Sequence, residues 1–462
     1  MLKLNVSHYQ DFTHLDQWLY YIENLHSTEI DMGLVRIQQV AERLAIDLAF
    51  ATVITVAGTN GKGTTCAFLE NALLDPALNL LINKEKGPSS VAVYASPHIE
   101  KFNERLRIDK RDVSDAALIT AFNKIEQARR DISLSYYEYT TLAALLVLMD
   151  IKPSFIILEV GLGGRLDATN IIDADIAVIT TIDLDHQAFL GNDRESIGFE
   201  KAGIMRANQI IVIGDTNAPQ SVLNYAFKMS GGNDSHLHIR DQHFTILENE
   251  HKEGNNEWLW QSTQDHRQSL NQLINPYIPR DNIATALMVL TALSEPLNLT
   301  LDSDFVNRII KQTKVAGRTE LFKQSTSCDV ILDVGHNPQA SRYLSAYLQQ
   351  LKRRGKYHKV HAVVAMLGDK DIANSLSALV GDVEHWYVGQ LNLPRAATAE
   401  VMAQHLKSQS SSESNIINCF DNVSDAFKIA NKHAKLNDLI LVFGSFYTVA
   451  EIRQLLLRKA DS

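Results

Sequence analysis

The chain of 462 residues is short of the features that mark unusual protein classes. It has 3 cysteines, Cys66, Cys328 and Cys419, an odd number with no CxxC pair. That excludes a disulfide framework and suits a reducing compartment, each thiol being a small core or surface residue. Only 10 prolines and 22 glycines stand against 45% hydrophobic residues, which excludes collagenous and low-complexity chains. No run approaches the roughly 20 apolar residues of a membrane span, and the N-terminus MLKLNVSHYQDFTHLDQW has no basic segment leading into an apolar one. No membrane partner and a cytoplasmic location are therefore expected. Positive charge is in deficit as well: 44 Lys and Arg face 54 Asp and Glu, and a net charge of −10 repels phosphate backbones, so no nucleic acid partner is expected.

What is present is length enough for about two or three domains and a repeated rhythm of short β-branched runs followed by amphipathic stretches, which predicts an α/β protein. The runs at 51–57 (ATVITVA), 155–160 (FIILEV), 176–181 (IAVITT) and 209–213 (QIIVI) do not alternate, as expected of parallel strands covered on both faces. A second set follows at 329–334, 359–365, 385–388 and 438–443. Between the sets, 231–273 carries HLHIRDQHFTI and NEWLWQ, whose alternation predicts a small antiparallel sheet. A helix is expected over 281–293, and the domain boundary is placed near Pro296, in a polar connection after that helix. The polar tracts 83–90 and 407–415 read as surface loops.

The strongest local signal is Gly58, Thr59, Asn60, Gly61, Lys62, Gly63 and Thr64, set between an apolar run and a helical pattern with Cys66, Leu69 and Leu73 on one face. Glycines let backbone N–H groups turn toward an anion, the helix start adds its positive dipole end, and Lys62 neutralises phosphate. A nucleoside triphosphate is the natural ligand. The spacing departs from GxxxxGK[ST], and the plain alternative is a Gly-rich turn with an exposed lysine. Glu159 ends the run FIILEV just before a glycine-rich loop, where open α/β sheets bind ligands; otherwise it is a capping carboxylate. The next run ends at TIDLDH, bringing His186 to the same edge, although histidine is an unusual ligand for Mg²⁺ and 16 are present. Lys201 precedes another run and reads on its own as a surface lysine.

Taken together, VAGTNGKGTTC, SPHIEKFNERLRI, ILEVGLGGRLDATN and LDHQAFLGNDRESIGFEKAGI closely resemble the folylpolyglutamate synthase/dihydrofolate synthase family of the Mur ligase superfamily. RDNIATAL, GRTELF, DVGHNPQA and FGSFYTVAE extend the resemblance over essentially the whole chain. It implies a P-loop-type, mostly parallel ATPase domain over 1–297, a smaller Rossmann-like domain over 298–462, and an active site in the cleft between them. It further implies that the phosphate loop binds ATP, with Asn282, Arg318 and Asp333 holding the nucleotide and His336 close to Asp333. Ser96, Glu159 and His186 match the family's magnesium ligands. Lys201 matches a lysine that carbon dioxide carbamylates, making it an anionic ligand for a second Mg²⁺; K⁺ is a further candidate ion. Asp31, Met32 and Gly33, then Ser135, Tyr136, Tyr137 and Glu138, then Leu166, Asp167 and Ala168 match positions that contact the pterin and benzoate of dihydropteroate. Core packing is the alternative for the tyrosines. The chain departs from the family in a long 73–95 connection and in Ala316, where proline is common.

The implied chemistry is amide ligation. ATP phosphorylates a carboxylate, of dihydropteroate or of the γ-carboxylate of a reduced folate, to an acyl phosphate that L-glutamate attacks. Lys62, Lys201 and His336 are the expected catalytic residues, the partners are these small molecules, and a monomer is expected. The alternatives are the polyglutamate activity alone, another Mur-type ligase, or a nucleotide-dependent switch.

Overall fold

The computed structural model describes residues 12–28, 30–78, 89–232, 236–248, 257–263, 268–294, 301–324, 327–409 and 416–460. It divides into two compact units, the first of residues 1–182 and 190–313, the second of 183–189 and 314–462. The boundary expected near Pro296 lies outside the described residues, as do 83–88 and 410–415 of the two polar tracts.

The large sheet of the first unit has eight strands: β1 (Thr52–Ala57), β2 (Val91–Tyr94), β3 (Leu106–Ile108), β4 (Arg111–Asp112), β5 (Phe155–Glu159), β6 (Ile176–Ile179), β7 (Ile210–Ile213) and β8 (Leu237–Ile239). Their order is β4-β3-β2-β5-β1-β6-β7-β8. All neighbours from β2 to β8 are parallel, while β3 and β4 add an antiparallel edge. Successive side chains of a strand point to opposite faces, so a sheet covered on both sides is apolar at every position. Accordingly Ile156 and Leu158 pack with helices Leu15–Glu23, Val35–Arg43, Asp115–Arg129 and Tyr136–Ile151, whereas Ala177, Ile179, Ile211 and Ile213 pack with Ile197 and Val222.

The antiparallel expectation for 231–273 needs correction at its start. Leu237–Ile239 joins the large sheet, parallel to β7, and only β9 (Phe244–Glu248), β10 (Trp258–Ser262) and β11 (Ser269–Leu273) form the small antiparallel sheet. Trp258 and Trp260 are fully buried from it, and their indole N–H groups donate to Ile274 O and Ala284 O. Ala284 lies on helix Arg280–Ser294, which overshoots the expected span by one residue at each end.

The second unit has a six-stranded sheet, β12 (Glu320–Phe322), β13 (Asp329–Asp333), β14 (Val360–Val364), β15 (His385–Val388), β16 (Ile416–Cys419) and β17 (Leu439–Phe443). Its order is β12-β13-β17-β14-β15-β16, parallel except for β12. Alternate residues again serve separate cores: Leu439, Leu441 and Phe443 one, Ile440 and Val442 the other. Cys66 and Cys328 are buried and Cys419 is exposed, all three as free thiols. Among the described residues no helix is long and apolar enough to cross a membrane.

Candidate functional site

In the first unit, β1 delivers the chain into the loop from Gly58 to Gly61 and on into helix Lys62–Leu74. Gly61 caps that helix at φ +89°, a conformation that favours glycine, and a Cβ there would collide with the Asn282 side chain. At Gly58 a Cβ would collide with Thr180. The loop is tied down from its neighbours: the Thr180 and Thr181 hydroxyls donate to Asn60 O at 2.7 and 3.1 Å, and Thr59 N donates to Thr181 O at 2.6 Å. Asn282 Nδ2 donates to Thr64 Oγ1 at 2.7 Å, and that hydroxyl donates to Gly61 O at 3.0 Å. The loop is thus braced from its neighbours and leads into the first turn of a helix, whose N–H groups suit an anion. The helix is buried all round from Thr64 to Leu73, rather than on the single face that Cys66, Leu69 and Leu73 define.

Two lysines meet on one atom of this loop. Lys62 Nζ donates to Gly58 O at 2.9 Å and to Thr59 O at 3.3 Å, while the buried Lys201 Nζ donates to the same Gly58 O at 3.0 Å. Glu159, buried at the carboxyl end of β5, faces Gly63, where a Cβ would stand 3.6 and 3.7 Å from its carboxylate oxygens. Burial pushes the neighbouring Cys66 thiol well up, and the Glu159 charge adds to this.

Asp31 and Glu138 are joined by Arg36, whose guanidinium reaches Asp31 at 2.7 Å and Glu138 at 3.3 Å. His26 approaches Asp31 at 3.0 Å. Ser135 and Glu138 form a reciprocal cap on helix Tyr136–Ile151: Ser135 N donates to Glu138 Oε2 at 2.8 Å and Glu138 N to Ser135 Oγ at 3.3 Å. The capping atoms are therefore engaged in the fold, while Glu138 Oε1 is buried without a hydrogen-bond partner among the described residues. Asp167 is similarly used, accepting from Leu162 N, Thr169 N and Thr169 Oγ1; burial pushes its carboxyl up. Tyr137 stacks on Tyr94, ring centroids 6.3 Å apart, and a Cβ on Gly161 would meet its ring at 2.7 Å. Burial, followed by the Asp167 charge, pushes its hydroxyl well up. Met32 packs near Gly163, Leu166 is half-buried and Ala168 buried, whereas Gly33 has open space around it. Ser96 precedes a cis Ser96–Pro97 bond.

Arg105 was part of a quoted motif but carried no role in the sequence reading. Its guanidinium lies 5.4 Å from the ring centroids of both Phe102 and Tyr136, and Nε donates to His98 Nδ1 at 2.9 Å. Burial and then the Arg105 charge push His98 down to about 4.

The second unit gathers the remaining candidates. Asp333 ends β13, accepting from Thr319 N at 2.8 Å and Gly335 N at 2.7 Å; burial pushes its carboxyl up, opposed by the Arg318 charge. Arg318 lies 5.6 Å from the Phe446 ring centroid. His336 Nδ1 donates to Val334 O at 2.9 Å, which turns Nε2 toward Asp185 at 3.6 Å. Asp185 also receives Lys370 Nζ at 2.8 Å, Asn337 Nδ2 at 3.4 Å and His186 N at its Oδ1. Burial would push this carboxyl up, but the His336 hydrogen bond and the His186 and Lys370 charges outweigh it and hold the group well below the usual range. His186 itself takes a left-handed φ of +51°. The sequence reading missed Asp185 and Lys370, although Asp185 adjoins His186 in the quoted TIDLDH run. Ser96, Glu159 and Lys201 thus sit in the first unit and His186 in the second. Among the described residues no three His, Cys, Asp or Glu side chains stand together as a metal cluster. The Glu159 carboxylate facing Gly63 of the phosphate loop, and the Ser96 hydroxyl, are oxygen donors of the kind that a hard cation such as Mg²⁺ takes when phosphate and water complete its shell.

Comparison with known proteins adds to this geometry. The Mur ligase middle domain model matches residues 56–292, and the Mur ligase glutamate ligase domain model matches 317–446. The chain is 40% identical over 442 residues, 96% of itself and 95% of its counterpart, to the dihydrofolate synthase/folylpolyglutamate synthase of Escherichia coli. It is 38% identical over 458 residues to that of Haemophilus influenzae, covering 95% of itself and 96% of the relative. Among solved structures, E. coli FolC in complex with DHPP and ADP superposes with TM-score 0.84 at 39% identity, covering 97% of this chain and 99% of that one. A bifunctional folylpolyglutamate synthase/dihydrofolate synthase with Mn, AMPPNP and L-glutamate bound gives 0.81 at 40% identity, covering 96% and 98%.

Proposed function

Because the chain belongs to the dihydrofolate synthase/folylpolyglutamate synthase family of Mur ligases, we propose that it adds L-glutamate to dihydropteroate and to the γ-carboxylate of reduced folates, in each case at the expense of ATP. A carboxylate is a poor acyl donor, so the γ-phosphoryl group of ATP is transferred to it first, and the glutamate amine then displaces phosphate from the acyl phosphate to leave the amide, ADP and phosphate. Positioning and electrostatics supply most of the rate in such transfers, and no covalent enzyme intermediate is required.

The observation that carries this reading is the braced loop from Gly58 to Thr64, with two lysines on Gly58 O and the Glu159 carboxylate facing Gly63. We assign Lys62 and the loop N–H groups to the phosphates, and Asn282, Arg318 and Asp333 to the nucleotide. Glu159, Ser96 and His186 are assigned to Mg²⁺, which neutralises phosphate charge when bound. The bond from His336 Nδ1 to Val334 O fixes the ring, and the residue acts beside Asp333. Lys201 is the carbamate: two ammonium groups on one carbonyl repel, and converting one to an anion turns that repulsion into attraction. This favours a second Mg²⁺ there, with K⁺ as an accessory ion. Asp31, Met32, Gly33, Tyr136, Tyr137, Leu166, Asp167 and Ala168 line the pteroate side, while Ser135 and Glu138 act through the helix cap they form. The two domains are taken as 1–297 and 298–462, the enzyme as a cytoplasmic monomer.

The test is phosphate release by the purified protein with ATP, glutamate, and either dihydropteroate or tetrahydrofolate. Release that requires all three components, with each acceptor, is expected. Release with tetrahydrofolate alone restricts the enzyme to polyglutamylation, and release indifferent to both co-substrates makes it a nucleotidase or switch.

A further inference from the structure

A guanidinium has five N–H donors in a planar fork, and burial against aromatic rings makes it costly to leave them unused. Arg105 spends one of its five, the Nε–H, on His98 Nδ1, and lies against both Phe102 and Tyr136. Among the described residues neither Nη group makes a hydrogen bond or ion pair. Nearby, Tyr94 and Tyr137 stack, and the Arg105 and Asp167 charges act on the Tyr137 hydroxyl with opposite sign. Tyr137 thus lies within the field of both a buried carboxyl and an arginine fork whose Nη groups are unspent.

We infer that Arg105 is a specificity-determining residue: its Nη fork binds the α-carboxylate of the glutamate that a folate already carries, and so admits glutamylated folates to the pocket that also takes dihydropteroate. This rests on the ligase reading above. Dihydropteroate has one carboxylate, which the reaction consumes at the phosphate loop. A folate has in addition an α-carboxylate one amide bond from its benzoyl ring, and that group survives the reaction. A planar fork matches such a carboxylate in two parallel hydrogen bonds, while Phe102 and Tyr136, each with its ring centroid 5.4 Å from the guanidinium, hold the fork in place.

The experiment measures binding by calorimetry, without turnover, for tetrahydrofolate monoglutamate and for dihydropteroate, with wild type, Arg105→Ala and Arg105→Lys. Loss of a charge-assisted pair should weaken folate binding by Arg105→Ala roughly tenfold to hundredfold, with the loss for dihydropteroate at least about tenfold smaller. Arg105→Lys, which retains charge without the fork, should recover part of the folate affinity. Equal weakening of both ligands overturns the inference, since Arg105 would then hold the shared carboxylate or merely shape the wall; so does weakening of neither. A wild-type chain that binds both ligands but joins glutamate to neither overturns the ligase reading alone.

Discussion

At the scale of single residues, the phosphate loop concentrates charge with little slack. Replacing Glu159 by Ala removes a buried carboxylate facing Gly63, and turnover is expected to fall by a factor of about a thousand or more with an unchanged circular dichroism spectrum; near-normal turnover would remove Glu159 from the metal site. Lys201→Arg keeps the positive charge but forms no stable carbamate. Activity should collapse, and for Lys201→Ala it should return in part when a small carboxylate such as acetate is supplied. An active Lys201→Arg enzyme contradicts the carbamate. The residues that chemistry marks by type and place, Lys62, Glu159 and the loop glycines, were legible in the sequence. Thr180, Arg36 and Arg105 were not, because nothing in their spacing says that a hydroxyl will brace Asn60 or that one guanidinium will join Asp31 to Glu138.

At the scale of elements, the cap formed by Ser135 and Glu138 is what starts helix Tyr136–Ile151 and sets the direction of Tyr136 and Tyr137. Ser135→Ala should cost about 0.5–2 kcal/mol of stability, read from the urea midpoint, and should raise KM for dihydropteroate more than it lowers kcat. The continuous apolar runs gave away β1, β5, β6 and β7 because parallel strands covered on both faces have no polar side to blur the pattern. β2 escaped notice, since its four residues, VAVY, follow a long polar connection. β8 was assigned to the wrong sheet because period-two alternation fixes which face a side chain takes but not which neighbour the strand finds.

Over the whole molecule, several histidines are held neutral. Burial, followed by the His385 charge, pushes His361 down, and burial, followed by the Lys359 charge, does the same to His385, the two rings stacking at 4.6 Å. Asp438 and Glu384 pull the other way at His361, and Tyr387 and His433 complete its surroundings. His98 is lower still. A base whose folded pKa lies below its unfolded value binds fewer protons when folded, so stability is complete above about pH 6.5 and declines as pH falls below it. The melting temperature should therefore drop between pH 7 and 5, and His361→Gln with His385→Gln should flatten that slope. The buried carboxyls Asp167 and Asp333, pushed up, act with the opposite sign at lower pH. Removing the Asp185 carboxylate with Asp185→Asn leaves Lys370 buried beside an amide, at a cost of about 3–5 kcal/mol in chemical denaturation.

That ion pair joins positions 185 residues apart along the chain. During synthesis on the ribosome, the stretch 183–189 leaves the exit tunnel with its neighbours on both sides ready to collapse, yet its own carboxylate must wait until Lys370 has been translated. The carboxylate of this stretch gains that partner only once the late portion of the nascent polypeptide exists, and a premature stop anywhere between them leaves Asp185 without the Lys370 ammonium group.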